Sequence, residues 1–186
     1  MPMQVPWFME HNALESLTRR ACPPAIRPIV ESFLDKGYAI IPDSISADAC
    51  DALVARFRAF ERANEAKLAP FRGPHGHYPR LVNIHLAMTE LFDTFCHNPQ
   101  ALAVQDFLFD AETCLYTSLF YERGSAQPLH RDTPYFCTRP EYRYFGMWVA
   151  LEDVDEDNGP LMALEGGHLI GEMDRAAIAR DVLGPG

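Results

Sequence analysis

The stretch Leu115-Tyr116-Thr117-Ser118-Leu119-Phe120-Tyr121-Glu122-Arg123-Gly124-Ser125-Ala126-Gln127-Pro128-Leu129-His130-Arg131-Asp132 reads as a strand, a glycine turn and an extended exit. Aromatic and branched side chains favour a pleated backbone, and Gly124-Ser125 turns it. In the extended exit, residues i and i+2 point to one face, so the His130 imidazole and the Asp132 carboxylate converge while Arg131 faces away. Such a pair is two-thirds of a 2-His-1-carboxylate facial triad, which holds ferrous iron and leaves positions open for a co-substrate and dioxygen. A tripeptide is weak evidence alone, and its surroundings carry the reading. Downstream, Phe145-Gly146-Met147-Trp148-Val149-Ala150-Leu151 is a second strand candidate. Asp155-Glu156-Asp157-Asn158-Gly159-Pro160 then turns the chain into Leu161-Met162-Ala163-Leu164. The expectation is an all-β region with a metal pair at a strand end.

One domain is the default for 186 residues, and 48% hydrophobic composition with 11% aromatic suffices for a core. The net charge of −10 argues against a nucleic-acid partner, which needs a basic footprint to displace phosphate counterions. The acidic run Glu152-Asp153 and Asp155-Glu156-Asp157 lacks EF-hand spacing and reads as a solvated turn. Cys22, Cys50, Cys96, Cys114 and Cys137 are odd in number and contain no Cys-x-x-Cys pair. They read as intracellular thiols rather than as a zinc or redox site. The first twenty residues carry Glu10, His11 and Glu15 and no long apolar run. Neither a secretory signal nor a membrane span is read there, and a cytoplasmic protein without a membrane partner is expected.

Residues 1–24 read as irregular, because Pro2, Pro6, Pro23 and Pro24 interrupt helix formation, although Trp7 and Phe8 could dock on the body of the fold. Ile26, Ile29, Val30, Phe33 and Leu34 have helical spacing over 25–36, with Gly37 as the stop and Tyr38-Ala39-Ile40-Ile41 as a short buried strand. Ser46 caps a second helix running to about Lys67 with Cys50, Leu53, Val54, Phe57 and Phe60 on one face. Residues 69–78 read as a Gly/Pro loop whose His75 and His77 face solvent or substrate. Helices follow over 89–97 and, from Asn98 and Pro99, over 100–109. Helices followed by strands suggest a sheet sandwich with helices packed on one face.

Four blocks now stand in order: Phe33-Leu34-Asp35-Lys36-Gly37-Tyr38-Ala39-Ile40-Ile41-Pro42, then Arg80-Leu81-Val82-Asn83-Ile84-His85-Leu86, then Gly124 through Asp132, then Asn158-Gly159-Pro160-Leu161 through Gly166-Gly167-His168. Together they resemble the phytanoyl-CoA dioxygenase family of iron(II)- and 2-oxoglutarate-dependent oxygenases, over about 25–171. The resemblance implies a mainly β fold with N-terminal helices: a double-stranded β-helix, or cupin-like jelly roll, with iron at one mouth. It implies Fe(II) held by His130 and Asp132, and 2-oxoglutarate as co-substrate beside Trp148, with Thr117 as a polar contact. The other reading of Trp148 is a core tryptophan, and of Thr117 a plain strand threonine. Thr133 could hydrogen-bond the Asp132 carboxylate or simply begin a turn. In the family, the distal His and the Arg that grips 2-oxoglutarate lie well beyond the Gly-Pro-Leu strand. Here His168 matches a turn histidine instead, and Arg175 and Arg180 lie in an expected helix. The expectation is therefore a roll domain over 25–186 that is incomplete at its C-terminus.

The function expected from this resemblance is hydroxylation of a small organic substrate, or a fragment of an enzyme that does so. Halogenation is disfavoured, because Asp132 fills the position a halide would need. The alternatives are a non-catalytic binding module with a degenerate jelly-roll site, and a cupin-like metal enzyme in which His85 or His168 joins His130. Phe71, His75, His77, Tyr78, Tyr135 and Phe136 are candidates for an access loop. Unpaired strand edges make self-association a further expectation.

Overall fold

The computed structural model describes residues 5–170 except 97, 125, 126, 133, 134, 137 and 141, with backbone only at 95 and 96. Its helices are α1 (Ala13–Thr18), α2 (Arg27–Lys36), α3 (Ala47–Ala63), α4 (Glu65–Leu68), α5 (Thr89–Leu91) and α6 (Pro99–Phe109). Short 3-10 turns occupy Trp7–Met9, Ala69–Phe71, Ile84–Leu86 and Gly167–Leu169, and α5 continues into a π-helical turn, Phe92–Cys96. The sheet has two strands, β1 (Leu81–Val82) and β2 (Leu119–Phe120), paired antiparallel with Leu81 opposite Phe120.

Helix boundaries follow the local chemistry. Ser46 Oγ accepts from the Ala49 N–H at 3.3 Å and Asn98 Oδ1 from the Ala101 N–H at 2.9 Å, so each N-cap satisfies an otherwise orphan donor. At the end of α2, Gly37 adopts φ +84° and its N–H returns to Phe33 O. A left-handed residue there closes the helix at little cost only because it is glycine. Asn98 is buried, and its amide also donates to Ser44 O at 2.8 Å, tying the α6 cap to the segment before α3.

Two apolar clusters hold these elements. The first joins Trp7, Phe8, Leu17, Ile26, Val30 and Leu34 to Val104, Leu108 and Phe109 of α6, with Phe33 and Phe145 packed against it. The described part of the N-terminal segment, residues 5–24, is therefore not irregular throughout. Glu15 adds an acidic charge to the first turn of α1, Phe8 is 1% exposed, and Trp7 Nε1–H donates to Leu108 O at 3.0 Å. Prolines break a helix only where they stand, and none stands between residues 7 and 22.

The second cluster packs Leu53, Phe57 and Leu68 on Tyr78, Leu81, Ile84, Met88 and Leu91, with Phe120, Val149 and Leu151 at its edge. A polar node closes it. Glu122 accepts from Arg58 and from the Tyr78 N–H at 2.8 Å, while Glu61 pairs with Arg58 and Arg72. Burial raises the Glu122 carboxyl, but these donors outweigh it and hold the group below its ordinary range.

The expected mainly β jelly roll is not what the described residues form. Helix far outweighs strand among them, and the only ladder is two residues long. The segments 114–118, 143–151 and 160–164 carry no strand assignment, and neither does 38–41, where Ile40 is 76% exposed. Aromatic and branched residues specify an extended backbone, but a strand exists only when a second backbone supplies its hydrogen bonds. Leu119–Phe120 finds such a partner in β1. Phe145, Val149 and Leu151 instead contribute side chains to the two cores without a ladder.

Candidate metal-binding site

His130 lies in an irregular segment after β2, and the chain bends at Asp132, whose carbonyl accepts from the N–H groups of Tyr135 at 2.8 Å and Phe136 at 3.0 Å. His130 Nε2 lies 3.4 Å from Asp132 Oδ1, with the two side chains 38% and 46% exposed. His130 Nδ1 is 2.7 Å from Pro128 O. A carbonyl can only accept, so this contact places a proton on Nδ1, and in the neutral ring Nε2, on the side of the carboxylate, is the nitrogen free to ligate. An imidazole fixed by a backbone carbonyl, beside a carboxylate, is a donor pair suited to a divalent cation. Arg131 points elsewhere, with Nη2 donating to Gly167 O and Ile170 O, both at 2.6 Å.

An aromatic wall stands beside Asp132. Phe136 and Tyr144 stack at 4.5 Å between centroids, and Tyr116 meets both edge-on, at 6.3 Å and 6.1 Å. Burial, then the Asp132 carboxylate and the phenols of Tyr116 and Tyr121, pushes Tyr144 up to about 12. Gly146 lies beside the carboxylate: a Cβ there would make an ordinary contact, 3.5 Å from Asp132 Oδ2. Two surface concavities, about 410 Å³ between α1 and α2 and about 300 Å³ between α3 and the turn before α5, contain none of these residues. The pair lies on an open face rather than in either of them.

Other expected site residues are placed as follows. The Thr117 hydroxyl donates to Asn83 Oδ1 at 2.8 Å, so its proton is already engaged next to β1. Trp148 is 51% exposed, which rules out the core reading. His85 is turned to Ser118, with Nδ1 2.6 Å from Oγ. His168 is held away from the pair by α2: its Nε2 lies 3.2 Å from Leu34 O and its ring packs on Gly37. Burial lowers its pKa. His75 and His77 stack on each other at 6.0 Å, Phe71 is exposed and Tyr78 is core rather than access loop. Among the described residues no group of three His, Cys, Asp or Glu side chains gathers that could hold a metal ion. Thr133, Arg175 and Arg180 lie outside the described residues. No helix among those described is long and apolar enough to cross a membrane.

Tyr144 and Gly146 were missed in the sequence, yet a signal for them existed. In an extended segment Tyr144, Gly146 and Trp148 share one face, and an isolated glycine in a strand-like run marks a close approach.

A family model described as Phytanoyl-CoA dioxygenase (PhyH) matches residues 33–183. Peroxisomal phytanoyl-CoA dioxygenase of Bos taurus is 27% identical over 189 residues, spanning 90% of this chain and 51% of the bovine protein. Phytanoyl-CoA dioxygenase domain-containing protein 1 of Mus musculus is 29% identical over 101 residues, 52% of this chain and 34% of the mouse protein. The chain thus spans about half the length, or less, of these curated relatives. No solved structure gives a significant match. With more than half of its length inside the family model, the chain belongs to the phytanoyl-CoA dioxygenase family.

Proposed function

We propose that this chain carries the metal-binding part of an iron(II)- and 2-oxoglutarate-dependent oxygenase that hydroxylates a small organic substrate. The observation that carries the reading is the His130–Asp132 pair, with Nε2 and Oδ1 3.4 Å apart and Nδ1 engaged by Pro128 O, inside the span matched by the family model. Iron(II) bound there would supply activation of dioxygen coupled to oxidative decarboxylation of 2-oxoglutarate. The chain's own residues do simpler work. Pro128 O keeps His130 in the tautomer that can ligate, and Asp132 supplies an anionic oxygen that offsets the charge of a cation. Trp148, exposed on the segment that brings Gly146 to Asp132, is suited to wall the co-substrate. Thr117 would meet the co-substrate as an acceptor, its proton being given to Asn83.

The test is succinate release from 2-oxoglutarate by the full-length protein with ferrous iron under air, with Asp132→Ala as comparator. Turnover by the parent and none by the variant is expected. Equal succinate release by both would rule out Asp132 as a ligand. Binding of 2-oxoglutarate without turnover by either protein would favour the binding-module reading.

A further inference from the structure

Arg131, between the two proposed ligands, has a longer reach than either. Its Nη2 donates to the carbonyls of Gly167 and Ile170, which bracket the 3-10 turn Gly167–Leu169. That turn is itself bolted to α2. Gly166 N–H donates to Lys36 O at 2.8 Å, and His168 Nε2 lies 3.2 Å from Leu34 O. The His168 ring fills the space that a Gly37 side chain would need, and Tyr38 OH donates to Glu165 Oε1 at 3.2 Å. Residues 127–132 carry no ladder hydrogen bond that would hold His130 and Asp132 in register. A continuous path therefore runs from α2 through the Gly-Gly-His turn to the backbone between the two ligands.

We infer that Arg131 is a positioning residue, whose guanidinium fixes the His130–Asp132 backbone against the Gly166–Leu169 turn and sets the spacing of the metal donors. This rests on the reading of His130 and Asp132 as ligands. A guanidinium suits the task because it is always charged, planar and able to donate to two carbonyls from one nitrogen. Removing a group that orients ligands costs roughly 10- to 100-fold in metal affinity.

The experiment compares the full chain with Arg131→Met, which keeps the aliphatic stem without donors, and Arg131→Lys, which keeps a charged donor. Cobalt(II) affinity is read from visible absorption under anaerobic conditions, and amide exchange at 127–132 is read in the metal-free protein. The expected result is cobalt binding about 10- to 100-fold weaker in Arg131→Met, with faster exchange at 127–132 and an unchanged far-ultraviolet spectrum. Arg131→Lys should recover most of both. Equal cobalt affinity and equal exchange in parent and Met variant overturn the inference. If the parent binds no cobalt but exchange still rises in Arg131→Met, the tether stands and the ligand reading fails. Should Arg131→Met not fold, the parent decides alone: slowly exchanging Nη protons assigned to Arg131 support the tether, and free rotation of the Arg131 guanidinium overturns it.

Discussion

Substituting Gly37 by alanine should damage the protein at a distance, through His168. The residue sits at φ +84°, and a Cβ there would collide with His168 Nδ1 and lie 3.1 Å from Cγ. An L-residue in the left-handed region costs roughly 1–2 kcal/mol. Pushing the imidazole off Leu34 O forfeits a hydrogen bond worth about 1 kcal/mol. The variant should lose about 2–3 kcal/mol in urea denaturation followed by circular dichroism. In a His168→Ala background the collision partner is gone, and the same substitution should cost only the backbone strain, about 1–2 kcal/mol. The double-mutant cycle should therefore show a coupling of about 1 kcal/mol. Gly37→Asn separates the two contributions, since asparagine tolerates the left-handed region but keeps the Cβ. Strict additivity, within about 0.3–0.5 kcal/mol, would refute the packing of the Gly-Gly-His turn on α2.

Three further outcomes follow from the packing and the charges. Phe8→Ala should cost about 3–5 kcal/mol in the same assay, because the ring is fully buried between Phe33, Phe109 and Phe145. A cost under about 1 kcal/mol would mean that the N-terminal segment is not core. The folded chain holds His168 below its ordinary 6.5, so the unfolded chain takes up that proton first as pH falls. Stability should be full above about pH 6.5 and decline below it, with a shallower decline in His168→Phe. Glu122→Gln keeps an acceptor for Tyr78 N–H but loses the ion pair with Arg58, for about 1.5–3 kcal/mol. That loss should shrink at acid pH, because the depressed Glu122 contributes stability only while ionised, above its folded value and in full above 4.5. A pH-independent difference would contradict the node.

The helical half of the molecule was readable because helix signals are local. Periodic apolar residues, Ser46, Asn98 with Pro99, and Gly37 each act within one turn, and the helices begin and end at those residues. The β half was misread because its signals are not local. The run around Trp148 states that the backbone is extended, but no feature of that run names the chain that would pair with it. Tyr38-Ala39-Ile40-Ile41 failed in the same way, an apolar run with no pairing strand among the described residues. The expected approach of His130 to Asp132 rested on a two-residue spacing, again a local signal, and the two side chains lie 3.4 Å apart although no strand is formed there. The Pro128 carbonyl that orients the imidazole, and the reach of Arg131 to Gly167 and Ile170, depend on turns and on contacts 36 and 39 residues away. Spacing alone does not contain them.

Manganese(II) titrated into the uniformly nitrogen-15-labelled chain under anaerobic conditions shows most directly which residues meet the metal, because the ion broadens resonances steeply with distance. The account predicts that the His130 ring nitrogens and the amides of His130 through Asp132 broaden first, followed by Tyr144 and Gly146. The His75–His77 loop and His168 should remain sharp at the same concentration. Asp132→Ala should abolish the effect at His130. Broadening centred on His75 and His77 or on His168, or a pattern unchanged in Asp132→Ala, would contradict the assignment of His130 and Asp132 as the metal pair.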